Sequence, residues 1–395
     1  MTSTVPAAAP PAASTDTRRH GLDALRAIAL GLGIVLHSLL PFVPDMPWMV
    51  TDSVTDPAAV VPVYVIHLFR MVLFMLLAGY FGRMLLTRRG PREFVRDRLT
   101  RIGLPLVAFW PVSVMSLWVL SVVGVFAFGQ PIPEMVPPAE GTPEILQLFT
   151  PGQLWFLLVL IECVLAVVVL RAVAIRLLGA ERVARFTRAA GTVLSSRAGM
   201  LLAAVPYLLA LLIQGTVAGG IVEPFTIVPE LAPLVGYLGA FMVGWALHAR
   251  PDSIERIGRT WPVQLGIAVP ATVLGWFVSH GEVPLPVAAA VVALAGMTWT
   301  YGLIGLFGTV LDRRSEVMRY LADSAYWGYL LHLPVLVGIE LLIADQSWPI
   351  LAKLALTWTV TAVLLLVSYD VLVRSTWIGA WLNGRRRRSV LLRRG

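Results

Sequence analysis

Long apolar stretches of about twenty residues recur along the chain and alternate with short polar segments. A helix of about 20 apolar residues crosses a hydrocarbon core about 30 Å thick, whereas strands of membrane barrels are only about 9–11 residues long. The pattern therefore predicts an all-α, polytopic transmembrane helical bundle of about ten helices. The ten stretches are residues 22–43, 61–86, 102–126, 154–175, 199–219, 231–249, 262–279, 285–309, 325–344 and 349–373.

The basic residues fall in alternate polar segments, and 27 of the 31 lie there. The segments between them carry acidic residues and no basic ones. By the positive-inside rule the basic segments face the cytoplasm, which predicts both termini inside and a multi-pass protein of the inner (plasma) membrane. The basic segments are the N-terminal tail with Arg18 and Arg19, then 87–101, 171–198, 250–261, 312–320 and 374–395. The acidic residues of the outer loops are Asp45, Asp52, Asp56, Glu134, Glu140, Glu144, Glu223, Glu230, Glu282 and Asp345.

Composition agrees with a membrane protein, because 57% of the 395 residues are hydrophobic and only 14% are charged. The net charge of +8 follows from the cytoplasmic segments and implies no nucleic-acid partner. We expect a disordered tail over residues 1–20, a membrane domain over 21–375 and a basic tail over 376–395. The arginines at 385–388 are expected to meet anionic lipid headgroups.

The first helix carries Asp23, Arg26 and His37, and ionisable groups at membrane depth are candidates for function. Arg26 and His37 are eleven residues apart, which places them on one helix face about 16 Å apart along the axis. A ligand that reached both would be long, with an anionic head near Arg26. A neutral imidazole suits a general base. The alternative is an Arg26 that only reaches to lipid headgroups and a His37 that is merely hydrogen-bonded in the interior.

The second helix carries His67 and Arg70 near its outer start. We expect Arg70 to pair with an acidic residue of the outer loops, such as Asp52 or Asp56. After this helix, Arg98 and Arg101 lie on one face of a helix start, where guanidinium groups suit phosphate oxygens. The alternative for these two arginines is ordinary cytoplasmic anchoring.

The fourth and ninth helices supply further polar groups. Trp155 lies at the outer interface as part of an ordinary aromatic belt, and Glu162 should face a partner or a cavity. Tyr329 and His332 lie in the ninth helix, with His332 at mid-membrane. The sequence holds no nucleotide-binding loop, nucleophile elbow or His/Cys metal cluster, so we expect no metal site.

Several of these residues lie in motifs that resemble the acyltransferase-3 family of integral membrane acyltransferases. Within that family the chain looks nearest to the glucan-succinylating branch, and the likeness covers residues 20–373. One departure is Gln153, which stands where many members have histidine. The motifs are Leu22-Asp23-Ala24-Leu25-Arg26 with His37 in an Arg-x10-His spacing, LLAGYF at 76–81, Arg98-x-x-Arg101 before Pro105, Leu154-Trp155-Phe156-Leu157, and Tyr329-Leu330-Leu331-His332.

The resemblance implies an acyl-CoA dependent O-acyltransferase with no tightly bound cofactor. It would move an acyl group from cytoplasmic acyl-CoA to a hydroxyl of a carbohydrate or related acceptor at the outer face. Arg98, Arg101 and Arg26 would meet the donor phosphates, and Asp23 would orient Arg26. His37 would act as general base or take the acyl group covalently. The cavity and acceptor contacts would come from Glu162, Trp155, His332, Tyr329, Arg70 and His67.

Two other classes of function fit a bundle of this kind. A secondary transporter or exporter of a small molecule or glycan often shows two matching halves with broken helices, a pairing that this sequence does not display. A non-catalytic membrane sensor or scaffold would tolerate the loss of His37. Acyl transfer is the preferred reading because the motifs occur together and in order.

Overall fold

A computed structural model describes residues 19–132, 149–217 and 219–391. All regular elements in these ranges are helices, which confirms the predicted all-α class. Most of the tail predicted over 1–20 lies outside the described residues, as do Glu134, Glu140 and Glu144. The longer helices are α1 (His20–Leu39), α2 (Val60–Arg98), α3 (Leu104–Phe128), α4 (Trp155–Leu178), α5 (Ala180–Leu194), α7 (Val205–Gln214), α8 (Leu231–His248), α10 (Trp261–His280), α11 (Leu285–Gly305), α12 (Glu316–Ile343) and α13 (Ile350–Ser368); the short ones are α6 (Gly199–Ala203), α9 (Ser253–Gly258) and α14 (Trp377–Asn383).

Within the described residues, eight segments are long and apolar enough to cross a membrane, and a bent pair formed by α5 with α6 and α7 raises this to nine. One of the eight, Pro57–Phe128, has 72 residues. At 1.5 Å per residue it would extend about 108 Å, several times the thickness of a hydrocarbon core. It contains both the second and the third predicted stretch, so the ten stretches fit the architecture.

The long segment is interrupted between its two apolar parts. Gly90 has a φ of 81°, outside the helical region, and is followed by Pro91. Proline disfavours the α conformation of the residue before it, and glycine adopts positive φ without steric cost. A π-helical turn over Leu99–Gly103 follows before α3 begins. The arginine-rich segment 87–101 therefore forms the turn between two crossings.

Helix α2 lies at the centre of the bundle and packs against α8 through glycines. A Cβ on Gly79 would lie 1.9 Å from the Phe241 carbonyl oxygen, and one on Gly244 would lie 1.8 Å from that of Leu76. Small residues let the backbones of membrane helices approach closely, where dispersion contacts hold them together. This contact fixes α2, and with it the side chains that α2 directs toward α1.

The basic segments predicted to face the cytoplasm meet at one end of the bundle, which we call the basic end. Their mutual contacts support a common side for these segments, although the cellular orientation itself stays a prediction from the positive-inside rule. The contacts are Arg19 with Glu255 (2.7 Å), the Gly21 N–H with Asp312 (2.6 Å), Arg250 with Thr192 (3.0 Å) and the Trp381 indole with the Thr100 carbonyl (2.8 Å).

At the opposite end, the loop between α1 and α2 is held by a buried ion pair. Lys353, the chain's single lysine, donates to both oxygens of Asp52 at 2.6 and 2.8 Å and to the Ala344 carbonyl at 3.2 Å. Lys353 is fully buried, and Asp52 is 5% exposed. The backbone N–H of Ser53 also donates to the Ala344 carbonyl. The loop is therefore fastened across α12 and α13.

We predict that Lys353→Met lowers the free energy of unfolding by about 3–5 kcal/mol, because Asp52 would remain as an uncompensated buried charge. Thermal unfolding of the detergent-purified protein measures this. The double variant Lys353→Met with Asp52→Leu should recover most of the loss, since neither charge remains. Asp345→Asn, at an exposed acid of the next loop, is the matched control. Equal stability of Lys353→Met and wild type would contradict the structural role of the pair.

Candidate active site

A cavity of about 490 Å³ lies between α1, α2, α12 and α13 and the start of α4. Most of its wall is apolar, contributed by residues such as Leu30, Phe74 and Leu366. Its polar side chains are few and include His37, His332, Arg70 and Gln153, together with Tyr329 and Trp155 from the predicted set. Convergent polar groups in an apolar pocket are typical of a ligand-binding site.

Two histidines from different helices meet in this cavity. The ring centroids of His37 on α1 and His332 on α12 are 5.4 Å apart, and Trp48 stacks on His37 at 5.5 Å with 13° between the ring planes. His332 Nδ1 lies 2.8 Å from the Tyr329 carbonyl, which accepts a hydrogen bond from it. Its Nε2 therefore carries the lone pair. The buried Nδ1 of His37 has no hydrogen-bond partner among the described residues.

Arg70 brings a positive charge to the same cavity. Arg70 is 8% exposed, and its Nε has no hydrogen-bond partner in the described part of the chain. Gly33 makes room for it, because a Cβ at that position would lie 2.5 Å from Arg70 Nη1. Gly33 is one helical turn before His37, so the guanidinium lies beside the histidine pair.

The expected pairing of Arg70 with Asp52 or Asp56 is wrong. Asp52 is held by Lys353, and Asp56 accepts a hydrogen bond from the Ala58 N–H at 2.8 Å. Glu223 from the loop after α7 is close enough to interact electrostatically with Arg70. No described carboxylate lies within ion-pair distance of this guanidinium, so Arg70 keeps donor capacity for a ligand.

Gln153 lies beside the histidines and is held by two hydrogen bonds, each with a backbone carbonyl as the acceptor. Its Nε2 donates to the Leu330 carbonyl at 3.0 Å, and the Tyr329 hydroxyl donates to the Gln153 carbonyl at 2.7 Å. Its Oε1 is buried without a partner among the described residues. The position that departs from the family motif thus presents a free acceptor in the cavity wall.

A second cavity of about 340 Å³ lies toward the basic end. Arg26, Arg98 and Arg101 line it, as predicted for a common site, together with Asp23. The two cavities are adjacent and share six lining residues. The shared residues are Ala27, Leu30, Phe74, Phe156, Ala325 and Tyr329.

Sequence reasoning missed two carboxylates of the second cavity, Asp97 and Asp323. Asp97 lies 3.2 Å from Arg101 and 3.6 Å from Arg98. An acid adjacent to Arg98 in an otherwise arginine-rich segment was the available signal. Asp323 is on α12 and reaches the cavity only through the tertiary fold. Arg26 lies 3.8 Å from Asp23, in the pairing that the sequence suggested.

Two predicted cavity residues lie elsewhere. Glu162 is not among the lining residues, because α4 faces the cavities with Phe156, Leu157 and Leu160, and residue 162 is about 200° around the helix from residue 160. His67 turns away toward the loop after α7, where its Nδ1 contacts the Gly219 carbonyl. In the described ranges, no group of three His, Cys, Asp or Glu side chains could hold a metal ion.

Comparisons with known proteins match the chain to an acyltransferase family and, over a shorter stretch, to glucans biosynthesis proteins. The sequence profile of a family described as an acyltransferase domain matches residues 19–372. Over 105 residues the chain is similar to the glucans biosynthesis protein C of Shigella boydii serotype 4 (29% identical) and of Shigella dysenteriae serotype 1 (30%). The stretch covers 26% of this chain and 26% of each relative, so the chain matches about a quarter of their length. No solved structure gives a significant match.

We predict that small thiol reagents reach both cavities from the basic end. The chain's single cysteine, Cys163, is fully buried and can be replaced by alanine to give a silent background. Ala27→Cys and Ala325→Cys, at positions shared by the cavities, should react with a cationic methanethiosulfonate. Ala293→Cys in the packed core should not. Mass spectrometry of the intact protein measures the labelling, and two unreactive cavity cysteines would mean that the passage is closed.

Proposed function

The chain belongs to the acyltransferase-3 family of membrane acyltransferases, and on this premise we propose that it transfers an acyl group from acyl-CoA to a hydroxyl of a carbohydrate acceptor. The donor enters at the basic end, which the positive-inside rule predicts to be cytoplasmic. The acceptor approaches from the opposite, outer side of the inner (plasma) membrane. The names of the curated relatives support a glucan-type acceptor.

The observation that carries this proposal is that the two cavities lie side by side along α1. Arg26 lines the second cavity and His37 lines the first, about 16 Å away along the axis of α1. Coenzyme A has a phosphorylated head, a long arm and a thioester at its far end. The arginines of the second cavity suit the phosphates, and the apolar wall suits the arm and the acyl chain.

The reaction follows from the groups at the far end. His37 Nε2 removes the proton of the acceptor hydroxyl while its oxygen attacks the thioester carbonyl. A tetrahedral intermediate forms, its oxyanion lies toward Arg70, and the C–S bond breaks to release coenzyme A thiolate. The proton held by His37 then passes to the leaving sulfur. Gln153 Oε1 accepts a hydrogen bond from a second hydroxyl of the acceptor, and the His332 ring lies beside His37.

We predict that His37→Ala leaves coenzyme A binding intact and lowers turnover of acetyl-CoA or succinyl-CoA by about 10²–10⁴-fold, because the proton acceptor is lost. Release of free thiol and binding by calorimetry, both on protein in nanodiscs, measure this. His280→Ala, at an exposed histidine on α10, is the matched control. A radioactive acyl-protein trapped in wild type but absent from His37→Ala would replace the general-base role with a covalent one.

Absence of coenzyme A binding by folded wild type would refute the donor assignment. In that case a flux assay in proteoliposomes would test the transport alternative directly.

We predict that Arg70→Met lowers kcat by about 10²–10³-fold and leaves KM for the donor near the wild-type value, because the interaction forms in the transition state. Arg83→Met is the control, since Arg83 is on the same helix but packs over Trp245 and lines neither cavity. Steady-state kinetics with acetyl-CoA and succinyl-CoA measure both parameters. A KM increase confined to succinyl-CoA would instead assign Arg70 to the acyl carboxylate.

A further inference from the structure

The segment after the last crossing returns to the mouth of the second cavity. Leu382 and Asn383, at the end of α14, line this cavity beside Arg101. The Asn383 amide donates to the Asp323 carbonyl at 2.9 Å, and the Trp381 indole donates to the Thr100 carbonyl. Residues 377–391 lie beyond the matched family domain, which ends at residue 372. This wall of the cavity therefore lies outside the part of the chain that the family profile matches.

We call residues 383–391 the C-terminal strap, and Arg374 and a buried carboxylate hold its far part: the Arg374 Nε donates to the Arg388 carbonyl at 2.8 Å. Asp370 on the last crossing accepts hydrogen bonds from the Val390 N–H at 3.0 Å, the Leu391 N–H at 2.9 Å and the Ser389 hydroxyl. Asp370 also lies 3.5 Å from Arg374, the pairing expected from their i,i+4 spacing. The strap is thus bound to the domain rather than extended toward lipid.

Gly384 lets the strap pass directly over Arg101. It has a φ of 73°, and a Cβ there would lie 2.0 Å from Arg101 Nη2. The next residue, Arg385, extends to within 3.4 Å of Asp323 and has a half-exposed side chain. Arg387 lies 2.9 Å from the other oxygen of Asp323 and is 18% exposed. The two strap arginines therefore flank a carboxylate that lines the second cavity.

The charge at this mouth is unbalanced, and the strap accounts for most of the imbalance. Within the described part of the chain, the three carboxylates that line the cavity form ion pairs with six arginines. Without the strap, four arginines would share the same three acids. The pairs are Arg26 with Asp23, then Arg89, Arg98 and Arg101 with Asp97, and Arg385 and Arg387 with Asp323.

We propose that the C-terminal strap completes the donor site, with Arg385 as a ligand of the nucleotide phosphates and Arg387 as the anchor that holds it beside Arg101. The proposal rests on the proposed function, because it takes acyl-CoA as the donor. Coenzyme A carries a 3′-phosphate and a diphosphate, which match a mouth where arginines exceed their paired acids by three. Arg385 is the more exposed of the two strap arginines and has the longer contact to Asp323, so its guanidinium is the one available to a phosphate. Burial and the neighbouring arginines lower the pKa of Arg387 against the opposing effect of Asp323.

The test compares the binding of coenzyme A and of pantetheine, which lacks all phosphates, to the full-length protein in phosphatidylcholine nanodiscs. We expect Arg385→Gln to weaken coenzyme A binding about tenfold, the loss of one charge-assisted phosphate contact, and to leave pantetheine binding unchanged. Gly384→Ala should give a similar loss, because its Cβ displaces Arg101. Arg182→Gln, on the exposed face of the basic helix α5, should change neither.

Unchanged coenzyme A affinity in Arg385→Gln, with wild type binding normally, would refute the strap's role and leave the proposed function standing. An equal loss for coenzyme A and pantetheine would show a structural effect and also refute it. A change that appears only when the nanodiscs contain phosphatidylglycerol would assign the arginine to lipid headgroups instead. Failure of wild type to bind coenzyme A would refute the proposed function itself.

Discussion

A charged side chain within the hydrocarbon core of a membrane costs several kcal/mol unless a partner, water or a ligand compensates it. Four basic residues lie within the apolar stretches of this chain, and the structure compensates them in different ways. Lys353 is neutralised by Asp52 in a fully enclosed pair. Arg83 lies over the Trp245 ring, and Arg26 is half exposed beside Asp23. Arg70 is buried without an ion pair to the described residues, and it lies beside His37. Of these four, Arg70 is the buried one without an ion pair to the described residues that lines the cavity of the proposed reaction centre.

The distance between the two ends of the passage is set by a single helix. Helix α1 carries Arg26 and His37 and contains no proline, whereas α3, α10 and α12 contain Pro111, Pro270 and Pro334. An uninterrupted helix keeps a fixed rise per residue, so α1 fixes the distance between the arginines of the second cavity and the histidines. Pro334 in the facing helix α12 follows His332 by two positions, so it lies outside the interval between the arginines and the histidines.

Much of this could be predicted from the sequence because its causes are local. Apolar length reveals a membrane span, since lipid imposes the same requirement on each crossing. Arg26 and His37 share a face because one helix carries both. Arg98 and Arg101 share a site because they are only three residues apart, Arg98 at the end of α2 and Arg101 in the π-helical turn that follows, rather than at the predicted helix start. Glu162 and His67 were misplaced because membrane depth says only that a polar group needs a partner. Which way the group faces depends on how α4 and α2 are rotated against their neighbours.

Partners separated by hundreds of residues could not be predicted for a related reason. Asp52 and Lys353 are 301 positions apart, and both signs occur at many positions in the sequence. The loop could equally have given Asp52 to Arg70, which lies closer in sequence and is also basic. The decisive factor is the position of α13, which brings a buried ammonium group under the loop. Because Lys353 binds both oxygens of Asp52, Asp52 does not form the pair with Arg70 that the sequence predicted. Arg70 is left in the apolar cavity beside the histidines without an ion pair to the described residues.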